Sequence, residues 1–194
     1  MKELNLELVK KEMEYFVFDN NSYIDSYTEF IKYFQQINKI EKHHLIISSH
    51  FVYGWMPTII SLNQDNLHEV LRLLNQVKQG HLLTANELAL LKNCINNSMV
   101  GLSKLLHFIR PDIYAIWDSR IFKFLTGKKS TYGINKPTAY LKYLQDLKNI
   151  TDQKEFDKFF QEIQKSFQYP ISKFRAIEIV MFQSKTDIEK IAIN

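Results

Sequence analysis

The feature that most restricts this chain is the recurrence of large apolar side chains every three or four residues, broken by caps, glycines and prolines. Between Asn63 and Gly80, Leu67, Val70, Leu71, Leu74 and Val77 fall on one face of a helix, with polar residues before it and a glycine after. From Ser22 to Ile40 the same period returns in Tyr23, Tyr27, Phe30, Ile31, Phe34 and Ile37, with Asn21 or Ser22 placed to cap the first turn. The run from His43 to Trp55 reads as helix, breaks at Gly54, and restarts through Pro57. Thr84 with Glu87 forms a capping box ahead of an apolar run, and Asp152 with Glu155 repeats that spacing before Phe156. Pro137 opens one helix and Pro170 precedes a last one. Two-residue alternation flanked by hairpin turns is absent, as is any repeat of solenoid length. These patterns predict an all-α fold, a compact multi-helix globule of about eight to ten helices.

A chain of 194 residues suits one all-α domain over 1–194, or two helical lobes around a cleft near 98–125. Its hydrophobic fraction of 45% supplies a core without disulfide or metal staples. The single cysteine, Cys94, lies in an apolar helical run and reads as a small core residue. A net charge of +4 favours phosphate-bearing partners. The first residues alternate charged with apolar side chains and lack the apolar core of a signal peptide, so a cytoplasmic protein without membrane spans is expected. His43, His44 and His50 lack the spacing that puts two imidazoles on one helix face, so neither metal nor cofactor is expected. The chain has no glycine-rich phosphate loop, no Gly-x-Ser-x-Gly and no heptad run, which removes nucleotide kinases, common hydrolases and coiled coils.

The stretch from Ser98 to Leu125, SMVGLSKLLHFIRPDIYAIWDSRIFKFL, carries the chemistry. A helix over Met99–Arg110 stops before Pro111, a short connection follows, and Asp118 is placed to cap a helix that runs to Leu125 and closes at Gly127. On a helical wheel Leu102, Leu105, Leu106 and Ile109 share one side, while Lys104 and His107 point away from it. A lysine in the first turn faces unpaired N–H groups and the positive end of the helix dipole, which lowers its proton affinity. The plainer readings are a solvated surface lysine and a simple N-cap.

The order Gly-x-x-Lys, an apolar helix ending before a proline, then apolar-Trp-Asp-Ser-Arg resembles the catalytic segment of helix-hairpin-helix DNA glycosylases, particularly the 8-oxoguanine DNA glycosylase type. The resemblance covers about residues 98–125 and implies a helix-hairpin-helix-like element around 88–110. By position it makes Gly101 the hairpin glycine, Lys104 the nucleophile and Asp118 the carboxylate. The hairpin has one glycine where the family's pattern normally has two, and the lysine-to-aspartate spacing is shorter than usual there. The implied function is DNA base excision, with lyase activity, on a damaged or modified base flipped into an aromatic pocket. Trp117, His107, Phe108, Trp55 and Tyr53 are candidates for its walls, with core packing as their alternative. Arg120, Lys123, Lys128 and Lys129 are placed to contact DNA phosphates, or else form a solvated helix end. The alternative function is a noncatalytic helical DNA- or protein-binding module in which Lys104 contacts phosphate and Asp118 only caps.

Overall fold

Most helix boundaries follow caps written in the sequence. A computed structural model of the chain describes residues 4–14, 23–54 and 60–183. Among them are α1 (Leu6–Met13), α2 (Tyr23–Gln36), α3 (Lys42–Gly54), α4 (Leu67–Lys78), α5 (Ala85–Cys94), α6 (Met99–Ile109), α7 (Ser119–Thr126), α8 (Pro137–Thr151), α9 (Phe156–Gln164) and α10 (Lys173–Phe182). The side chain of Asn5 accepts the Leu8 N–H at 2.9 Å and starts α1. Thr84 and Glu87 form the full capping box of α5, Asp118 caps α7, and Gly127 ends α7 in the left-handed region. Pro137 stands in the first turn of α8, where its missing N–H costs nothing.

One predicted cap is absent. Asp152 ends α8 instead of starting α9, and its carboxylate takes the Lys148 ammonium at 2.9 Å, one turn back. Glu155 occupies the N-cap position of α9 without a side-chain hydrogen bond. The i, i+4 lysine competes successfully for the aspartate that the sequence spacing offered to the next helix. Asn21, Ser22, Trp55 and Pro57 lie outside the described residues.

Two helices organise the packing. α6 touches α2, α3, α4 and α5, whereas α10 touches α1, α7, α8 and α9, and α5 against α8 joins the two groups. Leu102, Leu105, Leu106 and Phe108 of α6 are all buried. Burying each such side chain stabilises the fold by roughly 1.5–3 kcal/mol. The wheel expectation of a polar outer face fails at His107, which is buried because α6 is covered on several sides. Extended pairing among the described residues is limited to a bridge between Leu62 and Ile95. There the Asn63 N–H reaches the Cys94 carbonyl at 3.0 Å and the Asn96 N–H reaches the Ser61 carbonyl at 3.1 Å, fastening the α5–α6 turn to a passing segment. No helix among the described residues is long and apolar enough to cross a membrane.

Gly101 is not a turn residue. It lies in the first turn of α6, and a Cβ there would sit 2.5 Å from the Tyr53 hydroxyl oxygen and 2.9 Å from ring carbons Cε2 and Cζ. The glycine is therefore required for the close approach of α3 to α6. Gly101→Ala should destabilise the fold by ~1–3 kcal/mol through overpacking, although alanine is the better helix former by ~1 kcal/mol. Urea unfolding checks this: a lower midpoint at constant slope is expected, and an unchanged or higher midpoint would count against the Tyr53 contact.

Candidate active site

After α6 the chain turns at Pro111 and returns through the buried non-helical segment Tyr114–Trp117. Peptide groups buried outside helix or sheet need other partners. Here side chains supply them. His107 Nδ1 donates to the Tyr114 carbonyl at 2.8 Å, and the Tyr140 hydroxyl donates to the Ala115 carbonyl at 2.8 Å. Glu178 Oε2 accepts the Ile116 N–H at 2.9 Å. Ser103 Oγ accepts the Trp117 N–H at 2.9 Å and shares its own proton between the Val100 carbonyl at 2.9 Å and the Trp117 carbonyl at 3.2 Å. Four polar side chains from α6, α8 and α10 thus hold one segment.

The Ser103–Trp117 pair has a direct consequence for Lys104 and Asp118. Each stands one residue beyond a clamped partner, so the same hydrogen bonds set the spacing of both backbones. Asp118 Oδ1 accepts the Ile121 N–H at 2.9 Å as the N-cap of α7. Lys104 is partly buried and makes no hydrogen bond or ion pair with any described residue. Burial lowers the pKa of its amine, while the carboxylates of Asp118 and then Glu178 oppose that shift and Arg175 adds to it. The outcome is a lysine that releases its proton more readily than a solvated one, within the electrostatic reach of an acid group.

A second layer of charge lies behind them. Glu178 is buried and ion-paired with Arg175, and burial pushes its carboxyl up to about 7 against the pull of that guanidinium. Arg175 also lies over the Tyr27 ring, 4.9 Å from its centroid. The Tyr27 hydroxyl stands 2.9 Å from His107 Nε2. A carbonyl can only accept, so His107 carries its proton on Nδ1 and its Nε2 accepts a hydrogen bond from the Tyr27 hydroxyl. Burial holds this imidazole neutral, with its pKa pushed down to about 3.

The structure brings Lys104 and Asp118 into one electrostatic neighbourhood, and it buries the described aromatic candidates. Trp117, His107, Phe108 and Tyr53 are all buried. The Trp117 indole packs 5.0 Å from Tyr143 and 5.5 Å from Phe122, and its N–H donates to the Ile134 carbonyl at 3.0 Å. These rings are core, as their alternative reading had it, because neighbouring helices pack against α3, α6 and the segment that carries Trp117. Trp55 lies outside the described residues. Three surface hollows, beside α2–α4, α1–α9 and α8–α10, also lie away from Lys104 and Asp118.

The α5–α6 connection does form a tight hairpin, at Ile95–Ser98. Asn96 and Asn97, both at φ 50°, take the left-handed positions. The Gly101 N–H is occupied by Ser98 Oγ at 3.1 Å and the Met99 N–H by Asn135 Oδ1 at 3.0 Å, so these two amides face the protein and not a phosphate. Arg120, Lys128 and Lys129 are exposed, Lys123 is partly so, and none forms an ion pair among the described residues. Elsewhere Glu41, His43 and His44 bring ligand-type atoms within 4.8 Å of one another at the start of α3. His44 Nδ1 there already accepts the Glu41 N–H at 3.0 Å. Cys94 is buried, which raises its thiol pKa.

Ser103, Glu178, Arg175 and Tyr140 were missed as site residues. The available signal was a charged pair at i, i+3 inside the apolar run FRAIEIVMF, which only a buried partner explains. No family model, curated protein or solved structure matches the chain.

Ser103→Ala leaves the Trp117 N–H buried without an acceptor and should cost ~1–3 kcal/mol in urea unfolding. His107 gives a pH test. Its folded pKa of about 3 lies below the ordinary 6.5, so the stability tied to its neutral form is complete above pH 6.5 and is lost as pH falls toward 3. The full span is on the order of 4–5 kcal/mol. Urea midpoints measured between pH 7 and pH 4 should decline in the wild type and decline less in His107→Gln; parallel curves would refute the assignment.

Proposed function

We propose that this chain is a DNA base-excision glycosylase with lyase activity, in which Lys104 is the nucleophile and Asp118 the electrostatic partner. The observation that supports it is a partly buried amine of weakened basicity, untied among the described residues, within the electrostatic reach of the Asp118 carboxylate and one residue from the Ser103–Trp117 hydrogen bonds. Cleaving an N-glycosidic bond places positive charge on the deoxyribose, and Asp118 offers the negative charge that stabilises it. The Lys104 nitrogen donates its electron pair to the anomeric carbon while the bond to the base breaks and its electron pair leaves with the base. Loss of a proton from the nitrogen and opening of the sugar ring give a Schiff base, from which the 3′ phosphate departs after a C2′ proton is removed. A damaged or modified base, already weakly stacked, is the substrate class that costs least to extrude.

A second reading is a noncatalytic helical DNA-binding module, favoured by the burial of Trp117, His107, Phe108 and Tyr53, which removes them as walls of a base pocket. Borohydride trapping separates the two. Duplexes carrying 8-oxoguanine or an abasic site should yield a covalent adduct with the wild type and with Lys154→Ala, and none with Lys104→Ala. Asp118→Asn retains an equally good N-cap, so it should lower the single-turnover rate about a hundredfold with stability unchanged. The trapping rate should rise with pH and level off below the ordinary lysine value of 10.5, because only the free amine reacts. Binding with no adduct at any pH would support the module instead.

A further inference from the structure

Between Asp118 and Asp146 the sequence holds six cations, Arg120, Lys123, Lys128, Lys129, Lys136 and Lys142, and no carboxylate. In the middle of this span a tight turn closes through the Ile134 N–H to the Thr131 carbonyl at 3.0 Å, with Gly133 at φ 96°. Tyr132 stands at its tip with 81% of its surface exposed, the most open large apolar side chain among the described residues. An unanchored tyrosine loses little by being polar at one end, but its ring is left in water. The Lys136 ammonium lies over that ring, 5.8 Å from the centroid, and Lys128 and Lys129, four and three residues before the tyrosine, are exposed.

The base of the loop is firm. The Ile134 carbonyl accepts the Trp117 indole N–H at 3.0 Å, Asn135 Oδ1 accepts the Met99 N–H at 3.0 Å, and the Asn135 carbonyl accepts the Lys92 ammonium at 3.3 Å. Through these bonds the loop is seated on the α5–α6 hairpin and on the residue before Asp118. An open ring with one lysine over it and two more exposed in the same loop, on a turn whose root is fixed, meets the requirements for holding an unpaired nucleotide: a face for the base and charge for its flanking phosphates. A membrane surface would call for several apolar side chains around the tip, and the turn offers one. An acidic peptide would use the cations and leave the ring unused.

We infer that the 127–136 loop is a binding element for unpaired DNA, with Tyr132 stacking on one base and Lys128, Lys129 and Lys136 contacting the phosphates beside it. This rests on the nucleic-acid part of the reading above and not on its chemistry. The test is the affinity of the full chain for a fluorescent oligothymidylate strand, measured by anisotropy across a salt series. Tyr132→Ala should weaken binding about tenfold, and Tyr132→Trp should retain it. Lys128→Ala with Lys129→Ala should flatten the slope of log affinity against log salt by about 1.4, at ~0.7 for each single-strand phosphate contact. Equal affinity of Tyr132→Ala and the wild type overturns the inference, as does binding to anionic phospholipid vesicles or polyglutamate in preference to the oligonucleotide. Borohydride trapping run in parallel keeps the two readings apart. Tyr132-dependent binding without any adduct supports the loop and counts against the chemistry, whereas an adduct with Tyr132-independent binding does the reverse.

Discussion

The architecture depends on one requirement: a buried segment that belongs to neither helix nor sheet must find partners for its peptide groups. Tyr114–Trp117 meets it with His107, Tyr140, Glu178 and Ser103, drawn from α6, α8 and α10. Leaving such a group unbonded costs ~1–3 kcal/mol, so each of these side chains has a defined stabilising task. Ser103, His107 and Glu178, buried polar residues of this apolar core, are accounted for by the segment they serve. The two helix groups, one around α6 and one around α10, are held together through it as well as through their leucines and phenylalanines.

The same requirement generates the electrostatics. Glu178 is buried because it must reach the Ile116 amide, and a lone buried carboxylate would be costly, so Arg175 accompanies it from the preceding helical turn. Arg175 in turn is covered by the Tyr27 ring, and Tyr27 completes the bonding of His107. Lys104 lies at the edge of this group and feels all of its charges. The weakened basicity of one amine is therefore a by-product of how a loop is packed, with desolvation as the leading cause.

The helices were legible in the sequence because caps and apolar period act locally: Thr84 with Glu87, Asp118, Pro137 and Gly127 all stand where their chemistry placed them. Asp152 was misread because a lysine one turn back was an equally local competitor. Weakened basicity at Lys104 was expected from the first turn of its helix, but α6 begins at Met99 and puts Lys104 in the second turn, so burial is the leading cause. Ser103 is an unremarkable serine in a helix until Trp117 is folded beneath it. His107 looked solvent-facing because a wheel describes one helix, and α6 has neighbours on several sides. Gly101 carried a real signal, a need for no side chain, but the reason was the Tyr53 ring and not a turn.

Ser103 grips both the N–H and the carbonyl of Trp117, so α6 is fastened directly to the residue that leads into the cap of α7. The backbones that carry Lys104 and Asp118 can therefore move apart only if those hydrogen bonds break.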